Sequence, residues 1–377
     1  MRTVRDIPML ENIPVLLRTS LNAPVENGVV TESFRLTAAL PTIEYLRTRH
    51  AKVVLVSHIS GSGAETLEPM YKAMKEWIPN LAFCPVSTGP EARAAVRALS
   101  AGGVVMLENL RRNAGEEKND PAFAVELAEL ADVFVEDSFD TCHRVHASIV
   151  GVPKLLPSYA GLTVEREIAE LAAALSPKHP SLAIIGGAKF STKEPVLARL
   201  LTSYDSVFVG GALANDFLKV KGYPVGVSSV SGADDAQIKK LLTNPKVLLP
   251  LDVVVASQGA EQSSSRVVEL SEVGDTEGIY DIGPKTGEML AEKIHSARTI
   301  LWNGPMGLFE KGYLDGTRAV ARAVAESDAT SVVGGGDTVA VISELKAENR
   351  FSFISTGGGA MLDFLVSGSL PGIAVLN

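Results

Sequence analysis

Leu182-Ala-Ile-Ile-Gly-Gly-Ala-Lys189 is a four-residue apolar run closed by a glycine pair and a lysine, and a segment of helical period follows it. An apolar strand, a glycine turn and a helix in succession form the repeating unit of a parallel sheet. The same succession recurs outward in both directions. Towards the amino terminus, apolar runs stand at 15–17, 53–56, 104–107 and 133–135, with helical segments such as 38–47 and 121–130 between them. Towards the carboxyl terminus they stand at 206–209, 247–249, 300–302, 331–333 and 351–354. Ten strands exceed the usual size of one open sheet, and 377 residues exceed one ordinary domain. The expected fold is therefore α/β, two doubly wound parallel-sheet (Rossmann-like) domains, with 1–157 and 177–364 as the domains. Val164-Glu-Arg-Glu-Ile-Ala-Glu-Leu-Ala-Ala-Ala-Leu175 is rich in strong helix formers and ends before Ser-Pro, so 158–176 is read as an interdomain helix.

Composition narrows the class of function. A hydrophobic share of 46% supports sizeable cores, while 35 basic against 44 acidic side chains, a net charge of −9, disfavours a general nucleic-acid or membrane binder. The start of the chain carries Arg2, Arg5 and Asp6 without an apolar signal core, and no run approaches a membrane span. Cys84 and Cys142 lie far apart, which argues against a disulfide scaffold or a structural zinc site. A cytoplasmic protein is expected.

Ligands of open parallel sheets bind beyond the carboxyl ends of the strands, so the residues there decide the chemistry. In the first half these are Arg18, Ser20 and Asn22, then His58, then Glu108-Asn-Leu-Arg111, then Glu136-Asp137 with His143-Arg-Val-His146 close behind. In the second half they are Gly186-Gly-Ala-Lys189, Gly210-Gly211, Asn303-Gly-Pro305, Gly334-Gly-Gly-Asp337 and Thr356-Gly-Gly-Gly359. One half offers cations and imidazoles, suited to a small anionic metabolite; the other offers bare backbone, suited to phosphate at helix N-termini.

Each feature also has a plainer reading. A single glycine pair is more often only a tight turn, but four clusters in one half are harder to dismiss, and neither the P-loop nor the dinucleotide fingerprint is present. Lys189 and Lys193 would share a helical face if the helix begins at the lysine, as phosphoryl ligands or as a surface pair. Asp337 is equally a helix N-cap and a magnesium carboxylate. Trp302 reads as core, and Asp120 as the cap of a helix with Pro121 at its first position.

Taken together, the chain resembles the phosphoglycerate kinase family along nearly its whole length. The resemblance rests on Arg18-Thr-Ser-Leu-Asn-Ala-Pro24, Lys52-Val-Val-Leu-Val-Ser-His58, Leu107-Glu-Asn-Leu-Arg111 and Thr141-Cys-His-Arg-Val-His-Ala-Ser148 in the first half. In the second it rests on Gly186-Gly-Ala-Lys-Phe-Ser-Thr-Lys193, Asp281-Ile-Gly-Pro-Lys-Thr286, Trp302-Asn-Gly-Pro-Met-Gly-Leu-Phe-Glu310, Gly334-Gly-Gly-Asp-Thr338 and Ser355-Thr-Gly-Gly-Gly-Ala360. It implies a cleft between the domains and reversible phosphoryl transfer between 1,3-bisphosphoglycerate with ADP and 3-phosphoglycerate with ATP, in line and after domain closure. It implies magnesium bound with the nucleotide, small-molecule partners only, and a monomer. Ser20, Asn22, Arg35, His58, Arg111 and Arg144 would hold the triose, with Arg35 near the transferred group. Lys189 and Lys193 would meet the phosphates, Asp337 the metal, Thr338 a phosphate and Glu310 the ribose. Gly187, Gly210, Gly211, Asn303, Gly307, Gly335 and Gly336 would line the nucleotide, while Gly358 and Gly359 would offer N–H groups to the phosphoryl in transit. The tail, 365–377, would return to the first domain.

Three stretches depart from the family pattern, all on the triose side. Ser20 stands where the pattern has Asp, which removes an acceptor. Ile59-Ser-Gly-Ser62 replaces an apolar residue followed by Gly-Arg-Pro, which removes a phosphate-binding arginine; whether another residue such as Arg112 replaces it is left open by the sequence. Glu136-Asp-Ser-Phe-Asp140 replaces Asn-Asp-Ala-Phe-Gly, which adds carboxylates beside an anion site. A weaker triose site is expected. Two alternatives stay open on these departures: a nucleotide-binding relative with a regulatory role, and a kinase of another small acid.

Overall fold

The computed structural model describes residues 1–61, 63–257 and 262–376; Ser62 of the departing loop and Asn377 of the tail lie outside them. The chain divides into two compact units, one of residues 1–169 with the chain from Ser369 onward, the other Glu170–Gly368.

The first unit is built on six parallel strands in the spatial order Leu81–Cys84, Val104–Leu107, Lys52–Val56, Pro14–Thr19, Val133–Asp137, Ser158–Ala160. The central strands are apolar on both faces because helices cover both, and Val15, Leu16, Leu17, Val53, Val54 and Leu55 are fully buried. The chain runs to one side after Pro14–Thr19 and to the other after Val133–Asp137, so these adjacent strands flank the point where winding reverses.

The second unit repeats this plan with Val247–Leu248, Ser206–Val209, Ser181–Ile185, Thr299–Asn303, Thr330–Gly334 and Phe353–Ile354, all parallel. Here winding reverses between Ser181–Ile185 and Thr299–Asn303, which places Gly186-Gly187 beside Asn303-Gly304. Trp302 is core, fully buried, with its Nε1 donating to the Gly304 carbonyl at 2.9 Å. An antiparallel sheet of Arg266–Glu269, Asp252–Ser257 and Glu277–Ile282 is attached, with a small core of its own.

All ten expected runs fall on strands, and several boundaries are corrected. Residues 158–176 are not one helix: Ser158–Ala160 is the edge strand of the first sheet, and the helix is Leu162–Ala174. Its first turn is capped from a neighbouring strand, since Asp137 accepts the N–H groups of Thr163 (2.8 Å) and Val164 (3.3 Å). The division between units falls inside this helix. The tail leaves the second unit at Ser369, not at 365, because residues 365–367 finish the helix Gly359–Ser367. Its short helix Pro371–Ala374 sits on the first unit, where the Gly372 N–H donates to the Cys142 carbonyl at 2.8 Å. A side chain at Gly372 would meet Ile149 at 2.8 Å and the Cys142 backbone at 3.0 Å.

Candidate active site

At the carboxyl ends of the first sheet the arginines converge. Arg18 is buried, with its Nε on Ser148 Oγ (3.1 Å), Nη1 on the Thr19 carbonyl (2.8 Å) and Nη2 on His58 Nδ1 (3.0 Å). A guanidinium only donates, so His58 Nδ1 is the acceptor and its proton sits on Nε2. Burial, reinforced by Arg18, holds His58 well below the usual imidazole range. His146 is lowered to about 4 by burial and by Arg144 and Arg111. Both are neutral at pH 7, so His58 serves as a hydrogen-bond donor and not as a cation. Arg111 lies in the same field: burial and Arg144 lower it, its Nη2 is buried without a hydrogen-bond partner, and its Nη1 reaches Ser60 Oγ at 3.5 Å. An unsatisfied guanidinium N–H beside other guanidinium groups is a site prepared for an anion. Asn22 is held on the loop after His58, donating to Ser60 Oγ (3.1 Å) and accepting the Ser60 N–H (3.0 Å).

The departures look different in three dimensions. Ser20 Oγ donates to Asp140 Oδ2 at 2.8 Å, and Arg35 Nη1 donates to both, at 3.1 Å to Ser20 and 2.6 Å to Asp140. The acceptor expected to be lost at residue 20 is thus supplied by Asp140. The other two carboxylates do not crowd the anion site as expected: Asp137 caps the helix Leu162–Ala174, and Glu136, raised well above its usual range by burial, accepts the Ser138 N–H at 2.8 Å. Arg112 does not take the place of the absent arginine; it pairs with Glu108 at 2.9 Å.

In the second unit the glycines close around a cavity of about 320 Å³ lined by Gly187, Gly211, Gly307, Glu310 and Asp337. Two of these glycines are required by geometry. Gly187 has φ +98° and Gly211 φ +62°, and a side chain at Gly211 would meet the Gly187 N–H at 2.7 Å. The helices that follow the glycine clusters, Phe190–Ser203, Leu213–Val220, Gly336–Glu344 and Gly359–Ser367, all begin without a side-chain cap. Asp120 caps Pro121–Ala128 through the N–H groups of Ala122 and Phe123, as expected. Uncapped first turns leave N–H groups and the positive end of the helix dipole to a phosphate.

The polar residues of this unit take distinct positions. Lys193 is buried, its Nζ donating to Asn303 Oδ1 at 2.6 Å, and burial lowers it to about 8. Lys189 precedes the first helical residue and is exposed, so the two lysines do not share a helical face. Asp337 lies inside the first turn of Gly336–Glu344 and is not the cap; that position is Gly335, at φ +103°. Partial desolvation, with the Glu310 carboxylate beside it, raises Asp337. A divalent cation relieves both costs, so the residues fit magnesium, which takes its remaining oxygens from phosphate and water. Thr338 is fully buried with its Oγ1 unpartnered, a second feature that suits a phosphate. Gly210 is at the end of Ser206–Val209, with its N–H on the Ile185 carbonyl at 2.9 Å, and Gly358, at φ +49°, opens Gly359–Ser367 with clear space around it.

Sequence reasoning missed the apolar wall of the cavity, including Leu218, Val227, Val253, Ile279, Met306 and Leu308. It also assigned no role to Tyr280, stacked on Tyr313 with centroids 4.8 Å apart, or to Asp281, which burial raises to about 7. The stretch Trp302–Glu310 signalled Met306 and Leu308; Leu218, Val227, Val253 and Ile279 carried no signal, since apolar cavity walls and apolar cores have the same composition.

Comparison with known proteins adds an independent line. The family model described as phosphoglycerate kinase matches residues 4–368. The chain is 43% identical, over its whole length and 98% of the relative, to a phosphoglycerate kinase of Moorella thermoacetica. It is 44% identical, with the same coverage, to one of Rubrobacter xylanophilus. The crystal structure of phosphoglycerate kinase from Pyrococcus horikoshii superposes with a TM-score of 0.90 at 32% identity, covering 100% of this chain and 98% of that one.

Proposed function

The chain belongs to the phosphoglycerate kinase family, and from that premise we propose how its two units divide the work. The reaction is reversible phosphoryl transfer between 1,3-bisphosphoglycerate with ADP and 3-phosphoglycerate with ATP, a phosphotransferase reaction with a carboxyl acceptor. Neither the regulatory alternative nor a different acid acceptor is favoured, because the similarity to phosphoglycerate kinases spans both units.

The nucleophile in either direction, a carboxylate or a diphosphate oxygen, is already deprotonated at neutral pH. No general base is needed, and catalysis reduces to positioning and neutralisation of charge on the phosphoryl in flight. The first unit holds the triose through Arg35, Arg111, Arg144, Asn22 and the Nε2–H of neutral His58, with Ser20 steadying Arg35. The observation that carries this is the partnerless Nη2 of Arg111 inside a cluster where burial, reinforced by the guanidinium charges, keeps two histidines neutral.

In the second unit the nucleotide lies against Gly187, Gly210, Gly211, Gly307, Gly335 and Gly336, with Glu310 at the ribose and Thr338 at a phosphate. Lys193, oriented by Asn303, gives a desolvated positive charge, and Lys189 follows the phosphoryl. The N–H groups of Gly358 and Gly359 meet its equatorial oxygens. Asp337 would hold magnesium bound with the nucleotide, which would supply further charge neutralisation on the phosphates. Direct transfer needs donor and acceptor in line and water kept from the phosphoryl group. No described helix is long and apolar enough to cross a membrane; a cytoplasmic monomer acting on small molecules is the proposed working form. A coupled assay with Mg-ATP and 3-phosphoglycerate tests the reading: turnover is expected, and none at millimolar substrate despite Mg-ADP binding would refute it.

A further inference from the structure

We propose that Asp140 is the positioning residue for Arg35, a buried carboxylate that anchors one end of the guanidinium so that the other end is presented to the triose. The proposal rests on the triose reading of the first unit given above.

The geometry is that of a built site and not of a surface pair. Asp140 is 9% exposed in its side chain, against 28% for Arg35. Its Oδ2 accepts from Arg35 Nη1 at 2.6 Å and from Ser20 Oγ at 2.8 Å, while its Oδ1 accepts from Ser138 Oγ at 2.7 Å. The single hydroxyl proton of Ser20 goes to Asp140, and its lone pair takes Arg35 Nη1 at 3.1 Å. Ser20, Asp140 and Arg35 therefore close a triangle in which the Ser20 hydroxyl and Arg35 Nη1 both have acceptors. Burial alone would raise Asp140, yet Arg35 and the hydroxyls of Ser138 and Ser20 hold its carboxyl below the usual range, so it is charged throughout the working pH range.

Only Nη1 of Arg35 is engaged; Nε and Nη2 remain for a ligand, which is the arrangement that orients a fork without consuming it. Ser138 Oγ also accepts from Arg18 Nη1 at 3.4 Å, and Arg18 Nη2 reaches His58, so the carboxylate that sets Arg35 belongs to the network that fixes the His58 tautomer. Residues 20 and 140 meet because the strands Pro14–Thr19 and Val133–Asp137 are neighbours where the winding reverses. From Ser20, already within 3.1 Å of Arg35, a carboxylate would reach the same guanidinium.

That reach defines the experiment: steady-state kinetics of the full chain for the wild type, Asp140→Asn, Ser20→Asp and the double variant Ser20→Asp/Asp140→Asn. Asp140→Asn is expected to raise KM for 3-phosphoglycerate about tenfold or more and to lower kcat, with KM for Mg-ATP within about twofold, because one charge-assisted hydrogen bond is lost beside the triose alone. Ser20→Asp alone is expected to raise KM for 3-phosphoglycerate too, since it sets two carboxylates in contact. The double variant restores one carboxylate and recovers most of the loss; a structural role for Asp140 predicts no such rescue. An unchanged KM and kcat in Asp140→Asn, or a double variant no better than that single one, overturns the proposal. If Asp140→Asn does not fold, the double variant decides alone: folded and active supports the assignment, inactive or unfolded overturns it. Lack of turnover by the wild type refutes the functional reading and takes the assignment with it; an active wild type with an indifferent Asp140→Asn refutes the assignment only.

Discussion

Lys193 is expected to cost the free protein stability, and Lys193→Met should expose that cost. Burial lowers its ammonium from 10.5 to about 8, which at about 1.4 kcal/mol per pH unit amounts to about 3 kcal/mol against the charged form. Methionine keeps the stem and removes the charge, but it leaves Asn303 Oδ1 without its 2.6 Å donor, a loss of about 1–2 kcal/mol. The net expectation is a variant about 1–2 kcal/mol more stable at pH 7. The sign follows from proton binding: between about pH 8 and 10.5 the unfolded chain holds a proton that the folded one has released, so wild-type stability rises with pH across that window. The variant's advantage is therefore constant below pH 8 and shrinks above it by about 1.4 kcal/mol per unit, reversing before pH 10. Trp77 and Trp302 are the only tryptophans, so denaturant unfolding in a Trp77→Phe background follows the second unit through Trp302. Mg-ADP should reverse the ranking, because the charge that burdens the free protein binds phosphate. A variant less stable than the wild type at pH 7, or an advantage independent of pH, would refute the reasoning.

Lys189→Ala should lower kcat by about 10²–10³ with the unfolding transition unchanged, since the side chain is exposed and acts only on the transferring group; a near-normal rate removes it from the mechanism. Thr338→Val should stabilise the free protein by up to about 1 kcal/mol, because Oγ1 is buried and unpartnered, while weakening Mg-ADP binding in calorimetry; unaltered binding would leave that hydroxyl without a phosphate. His146, lowered to about 4 in the folded chain, leaves stability intact above its unfolded pKa of about 6.5 and withdraws it as pH falls towards 4. His146→Gln should therefore flatten the melting temperature against pH over that interval, and a curve parallel to the wild type would contradict the burial argument.

How much could be read in advance follows from what each feature depends on. Central strands such as Ser181–Ile185 and Lys52–Val56 were legible because a strand covered on both faces must be apolar throughout. Leu81–Cys84 was not, being a short edge strand with one exposed and one half-buried residue. Asp252–Ser257 was hidden because its apolar run joins that of Val247–Leu248 across Pro250, although the first lies in the antiparallel sheet and the second in the parallel one. Lys189, Lys193 and Asp337 stood out by their glycine neighbours; that one lysine is buried and the other exposed depended on where the helix starts.

The sequence by itself determined the α/β class, the cationic strand ends of the first half and the glycine-rich strand ends of the second, because strand burial and close approach of backbone to phosphate are local demands that restrict residue types within a few positions. What only the tertiary structure decided is which of those residues act together. Ser20 and Asp140 are 120 residues apart, and read singly one is a lost acceptor and the other an intrusive charge. They become one acceptor for Arg35 only because the sheet order sets their two strands side by side, and sheet order is a long-range packing outcome that no local pattern encodes.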